Sequence, residues 1–155
     1  GGSGMYGPRN DQQSSAPRQR AFGVDGRVIL GWLSLSGEYI NLREDSGAEP
    51  GKYTGTGVYP LASGFKVDGF YNQAAVAIPT GATSLQTVTL YARYDRRHAE
   101  FEGFGPILTS RWTTGARLDF WSALAVKAEY LFNRENAGAP TVPNDVFTSS
   151  VVFTW

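Results

Sequence analysis

The stretch Leu108-Thr-Ser-Arg-Trp-Thr-Thr-Gly-Ala-Arg-Leu-Asp-Phe-Trp121 decides the fold. Its even positions are Leu108, Ser110, Trp112, Thr114, Ala116, Leu118 and Phe120, which are mostly apolar with aromatics near the ends. Its odd positions include Thr109, Arg111, Thr113, Arg117 and Asp119, which are polar or charged. A β-strand sends successive side chains to opposite faces, so this segment is a strand with one apolar and one charged face. Fourteen residues is also long for a soluble strand, whose usual length is about five or six, and fits the roughly 9–11 that cross a bilayer.

The same alternation runs outward in both directions. Upstream, Val88, Leu90, Ala92 and Tyr94 oppose Tyr91, Arg93, Asp95 and Arg97. Downstream, Leu124, Val126, Ala128, Tyr130 and Phe132 oppose Lys127, Glu129 and Asn133. Leu33, Leu35 and Tyr39 oppose Ser34, Ser36 and Glu38, and Phe22, Val24, Val28 and Leu30 oppose Asp25 and Arg27. Near the C-terminal end, Phe147, Ser149, Val151, Phe153 and Trp155 oppose Thr148, Ser150 and Thr154. Val67–Ile78 alternates too weakly to assign its faces, because either set takes Asn72 or Gln73. About seven strands result. Short turns follow Leu30, Ile78 and Trp121, whereas longer polar connections span Arg43–Phe65, His98–Pro106 and Glu135–Asp145. Short turns on one side and long loops on the other characterise bacterial outer-membrane barrels.

Composition narrows the function classes. The 155 residues carry 14 basic and 14 acidic side chains, and this balance argues against a nucleic-acid partner. The absence of cysteine excludes a disulfide scaffold, a thiolate metal site and a cysteine nucleophile. Mean hydropathy is -0.27, a value that alternating membrane strands share with soluble chains. No metal or cofactor is expected: Asp45, Glu49 and Asp119 lack calcium-loop spacing, and Gly51, Gly55 and Gly57 form no phosphate loop. No catalytic residue is expected either. His98 is the single histidine, and Ser110 and Ser149 both fall on the apolar parity. Residues 1–20 have no apolar h-region and are rich in Gly, Ser, Pro and Gln. They are expected to be an outer loop or linker, native or appended, with residues 21–155 forming the barrel strands.

The terminal Val151-Val152-Phe153-Thr154-Trp155 resembles the C-terminal signal read by the outer-membrane assembly machinery, with Val151, Phe153 and Trp155 at the alternate positions. Gly37-Glu38-Tyr39, Tyr91-Ala92-Arg93-Tyr94-Asp95 and Lys127-Ala128-Glu129-Tyr130 resemble the C-terminal half of Gram-negative porins of the phosphate-selective O/P type. The resemblance covers roughly residues 20–155. It implies an all-β, antiparallel transmembrane β-barrel, a meander in the cell outer membrane. It also implies passive diffusion of small hydrophilic solutes or ions, anions such as phosphate among them, no enzymatic activity, and a homotrimer. Outer-membrane lipids and lipopolysaccharide would surround the wall. With Trp155 at the periplasmic side, every short turn is periplasmic and every long loop is outer. An odd strand count then makes the chain a fragment of a larger barrel. A closed eight-stranded barrel is the rival, and Pro8 and Pro17 oppose the extra strand that it needs.

On this reading Arg27, Glu38, Tyr91, Arg93, Asp95, Arg97, Arg111, Arg117, Asp119, Lys127 and Glu129 face the lumen. Singly, these charges are read as pairing with each other; together, they are the candidates for selecting solute. A three-residue turn over 122–124 predicts Asp119 opposite Lys127 and Arg117 opposite Glu129. Two alternatives stay open. One is a small structural or adhesion barrel acting through its outer loops, and the other is a soluble ligand-binding β-barrel.

Overall fold

A computed structural model describes residues 1–8, 18–45, 64–101, 105–121, 123–138 and 140–153. They form eight strands and no helix: β1 Gly2–Pro8, β2 Arg18–Leu30, β3 Leu33–Glu44, β4 Phe65–Pro79, β5 Leu85–Phe101, β6 Ile107–Phe120, β7 Leu124–Ala137 and β8 Val146–Phe153. Each strand pairs antiparallel with the next, in the order β1-β2-β3-β4-β5-β6-β7-β8. β1 and β8 do not pair with each other, so the sheet is an open meander, consistent with part of a barrel wall.

The strand count exceeds the seven expected, because Gly2–Pro8 is strand rather than loop. It pairs from Gly2 opposite Val24 to Pro8 opposite Arg18. Proline is tolerated there because β1 is an edge strand and Pro8 is its last residue. Arg18–Arg20, also expected in that loop, begin β2 instead, and residues 9–17 lie outside the described set.

Short turns join the strands along one rim. Leu30 faces Leu33 across the two-residue turn Gly31-Trp32, where Gly31 takes a φ of 60° that a side chain would disfavour. Trp121 opens the β6–β7 turn at φ 49°. At the other rim, the first four residues of the loop expected over His98–Pro106 are strand, since β4 and β5 stay paired out to Phe65 and Phe101, and residues 102–104 lie outside the described set.

Register carries the sequence alternation across the sheet. The even positions of β2, β4, β5, β6 and β7 share one face with the odd positions of β3 and β8. This also fixes β4: Phe70, Asn72, Ala74, Val76 and Ile78 join the apolar face, and Tyr71, Gln73 and Ala75 join the polar one. Asn72 is accommodated by lying over Gly37, where an added Cβ would come 2.9 Å from its amide oxygen.

Burial is inverted relative to a water-soluble domain. Among the described residues only Ala99 and Ala125 are buried apolar side chains, and no large side chain is fully buried. Phe22, Val28, Leu30, Leu90, Trp112, Phe132, Phe147, Val151 and Phe153, all on the apolar face, are exposed. A soluble chain of this size has a hydrophobic core to hide such groups. Here most of the exposed hydrophobic surface lies on one face of the sheet, with Ile29, Ile40 and Val152 exposed on the other.

Candidate functional site: a charged trough behind an apolar band

The polar face is concave. A single cavity of about 880 Å³ is lined by side chains from Asp25 on β2 to Thr148 on β8, which requires the sheet to curl around that face. A second cavity of about 640 Å³ continues it toward the long-connection rim, past Glu38, Arg97, Arg111 and Glu135. All eleven residues expected on the lumen side fall on this face. Glu38 pairs with Asp25 and Tyr71, Tyr71 with Asp95, and Asp95 with Arg111. Tyr91 and Arg93 alternate with Leu90, Ala92 and Tyr94 on β5, Arg97 follows between Arg96 and His98, and Arg117, Asp119, Lys127 and Glu129 follow on β6 and β7.

The charges form short ladders. Arg93 Nε and Nη2 donate to Asp95 Oδ1 at 2.9 and 2.5 Å, while Arg111 Nε faces Asp95 Oδ2 at 3.5 Å, an ion-pair distance rather than a direct hydrogen bond. One carboxylate thus sits between two guanidinium groups. The Arg93 guanidinium also lies 3.9 Å from the centre of the Tyr71 ring, which holds the planar cation flat against the wall. Tyr71 was not among the expected site residues, because the weak alternation of its strand hid its face.

Lower on the same face, Lys127 Nζ bonds Glu129 Oε2 at 2.8 Å, and Thr148 Oγ1 donates to the same oxygen at 3.5 Å. Arg117 Nη2 bonds Asp119 Oδ1 at 2.7 Å. Tyr91 lies across Gly115, so closely that an added Cβ would stand 2.6 Å from Tyr91 Cζ. Arg27 Nε donates to Ser34 Oγ at 3.1 Å. Arg97 and Glu38 have no ion-pair partner among the described residues.

The expected cross-strand partners are corrected. Phe120 faces Leu124, so Arg117 lies opposite Lys127 and Asp119 opposite Ala125. The turn is centred one residue earlier than expected, over 121–123, and this slides the register by two. Faces are preserved because the slip is even. The resulting like-charge pair is tolerated because each cation takes the acid two residues along its own strand.

The apolar face is organised as well. Tyr39 faces Phe70, Phe70 touches Tyr94 at 6.0 Å, Tyr94 touches Trp112 at 4.9 Å, Trp112 faces Phe132, and Tyr130 faces Phe147. These rings form a belt across β3–β8. Tyr39, Phe70, Tyr94, Trp112, Tyr130, Phe132 and Phe147 make up this belt. The Phe120 and Trp121 rings meet tilted, their centres 6.2 Å apart, by the short-turn rim, and Trp155 lies outside the described residues. Trp112 and Phe120 are eight residues apart on β6, about 27 Å along a strand and roughly 20 Å along the normal at a tilt near 40°. That is close to the ~25 Å apolar band of a membrane barrel. Between these levels, no described position on the apolar face is charged; the polar exceptions are Asn72, Thr114 and Ser149.

Comparison with family models, curated proteins and solved structures gives no match. The residues alone therefore define the site. Above the belt the apolar face turns polar. His98 Nδ1 meets Asp68 Oδ1 at 3.2 Å and Nε2 meets Glu100 Oε1 at 3.3 Å, and Lys66 Nζ lies 3.8 Å from both carboxylates. Ser110 Oγ accepts from Asn136 Nδ2 at 2.9 Å. Among the described residues no hydroxyl reaches His98, so the serine and histidine are not assembled as nucleophile and base. Of the terminal motif, Val151 and Phe153 stand exposed on the apolar face of β8.

Proposed function

We propose that this chain forms part of the wall of an outer-membrane channel, through which small hydrophilic solutes or ions diffuse passively. One observation carries the reading: an uncharged, exposed apolar band lies back to back with a concave face that gathers nearly every strand charge of the membrane zone. A lipid-facing exterior stabilises the first, and a water-filled path stabilises the second. Strands suit this role because each satisfies its backbone groups with its neighbours, and only β1 and β8 keep open edges.

Within the channel, Arg93, Asp95 and Arg111 form the densest charge cluster, and Arg97 stands unpaired beside them. Two guanidiniums sharing one carboxylate leave a net positive site, which favours anions with oxygen acceptors such as phosphate. The porin resemblance of Tyr91–Asp95 and Lys127–Tyr130 points the same way. Val151, Phe153 and Trp155 are proposed as the recognition element for the assembly machinery, and a homotrimer as the assembled state.

The test is reconstitution, in planar bilayers, of the closed barrel to whose wall the chain contributes. Discrete conductance with anion preference is expected, and replacing Arg93 and Arg97 by Ala should abolish that preference. Conductance with unchanged preference in the double variant would remove the selective role of these arginines. Absence of any conductance would overturn the channel reading.

A further inference from the structure

The apolar face carries a feature that a channel wall does not need. Immediately above the belt row Tyr94–Trp112–Phe132, the next row on the same face is Arg96–Ser110–Arg134, each residue directly opposite its neighbour. Both arginines are exposed. The Arg96 guanidinium has no hydrogen bond or ion pair among the described residues. Arg134 Nη1 reaches only its neighbour's carbonyl, Asn133 O, at 3.0 Å and Asp145 Oδ1 at 4.0 Å. Beside Arg96, a crevice of about 440 Å³ opens in this otherwise convex face, lined by Tyr39, Phe70, Leu108, Asp68, His98 and Arg96. The two acids of this face on β4 and β5 are already engaged: Asp68 by His98 and Lys66, and Glu100 by the same pair.

From this arrangement we infer a binding site for a phosphorylated membrane lipid. The headgroup phosphate sits between Arg96 and Arg134 above Ser110, and the acyl chain lies in the crevice against Phe70 and Leu108. The inference rests on the membrane-spanning reading. Charge complementarity selects the occupant. An uncompensated guanidinium on a hydrocarbon-facing wall stands where lipid phosphates lie, at the boundary marked by the aromatic belt. Its planar fork matches phosphate oxygens bidentately, and the second arginine, about two strand spacings or 10 Å away across Ser110, supplies the other side of the clamp. A zwitterionic headgroup offers its own cation to the same arginines and binds more weakly.

The test folds the protein into phosphatidylcholine bilayers containing a minority of phosphatidic acid. Complexes are released in mild detergent, and retained lipids are counted by native mass spectrometry. Tryptophan quenching by brominated acyl chains, read on the same samples, reports insertion. The protein is expected to retain phosphatidic acid with roughly tenfold preference over phosphatidylcholine. Arg96→Gln with Arg134→Gln should bring the preference close to one while quenching stays unchanged. Arg20→Gln removes a charge that Asp45 already neutralises at 3.2 Å, and should leave the preference intact. Insertion with no preference, or with a preference that survives the double variant or falls equally in Arg20→Gln, overturns the lipid site alone. Failure of the tryptophans to quench overturns the membrane-spanning reading and the lipid site with it.

Discussion

Placing an arginine in the centre of the apolar band separates a membrane wall from a soluble sheet. Leu90 faces Ala116, which faces Ala128, and Ala116 lies midway between Trp112 and Phe120 on β6. Leu90 is therefore at the middle of the band, on the face away from the trough, and is 49% exposed. If that face met water, Leu90→Arg would be an ordinary surface change, within about 0.5 kcal/mol of neutral. If it meets hydrocarbon, a charge near the midplane costs about 2–4 kcal/mol. At about 1.4 kcal/mol per decade this is roughly a thirty- to thousandfold change in the folding equilibrium. The assay is reversible denaturant unfolding in lipid vesicles, followed by heat-modifiable gel migration and tryptophan emission. Thr89→Arg, one residue along β5 on the polar face, is the control; it stands opposite Arg117, and this like-charge pair should cost no more than about 1 kcal/mol. Equal, small effects at Leu90 and Thr89 would refute the argument, since neither face would then contact lipid.

Three further outcomes follow from specific contacts. Gly115→Ala should destabilise by about 1–3 kcal/mol in the same unfolding assay, because the new Cβ would stand 2.6 Å from Tyr91 Cζ and 2.8 Å from Ala128 O. Asp95→Asn removes the carboxylate shared by Arg93 and Arg111, so reversal potentials in planar bilayers should show a severalfold rise in anion preference. The chain has no cysteine, so engineered pairs report the β6–β7 register directly. Arg117→Cys with Lys127→Cys should form a disulfide readily under mild oxidation, because these residues are directly opposite. Arg117→Cys with Glu129→Cys should form it poorly, and the reverse order of yields would contradict the register.

Which face each residue takes was legible in the sequence on six strands, because a period of two depends only on side-chain type. Leu118, Ala116 and Trp112 cannot share a face with Arg117 and Arg111 on any strand. Pairing was less legible. The face of Arg117 follows from parity, but its partner depends on where the turn closes. Trp121 entering the left-handed region shifts the turn to 121–123 and moves the partner from Glu129 to Lys127. Val67–Ile78 was unreadable alone, since Asn72 on an apolar face makes sense only when Gly37 on the neighbouring strand leaves room for it. Tyr71, the stacking partner of Arg93, was lost with that strand. Gly2–Pro8 was missed because glycine, serine and proline carry turn propensity, which pairing with Ala21–Val24 overrides at a sheet edge. The Arg96–Ser110–Arg134 row was invisible for a different reason. Those residues share a face with the apolar band, and only the register shows that they stand together just beyond it.

The central claim is that two adjacent residues of β6 face different solvents, hydrocarbon at Ala116 and water at Arg117. A small fluorophore attached to a single cysteine at each position in turn, in vesicles with brominated acyl chains, measures this directly. The account predicts strong quenching at 116 and little at 117. Equal quenching at the two positions, or none at either, would contradict it.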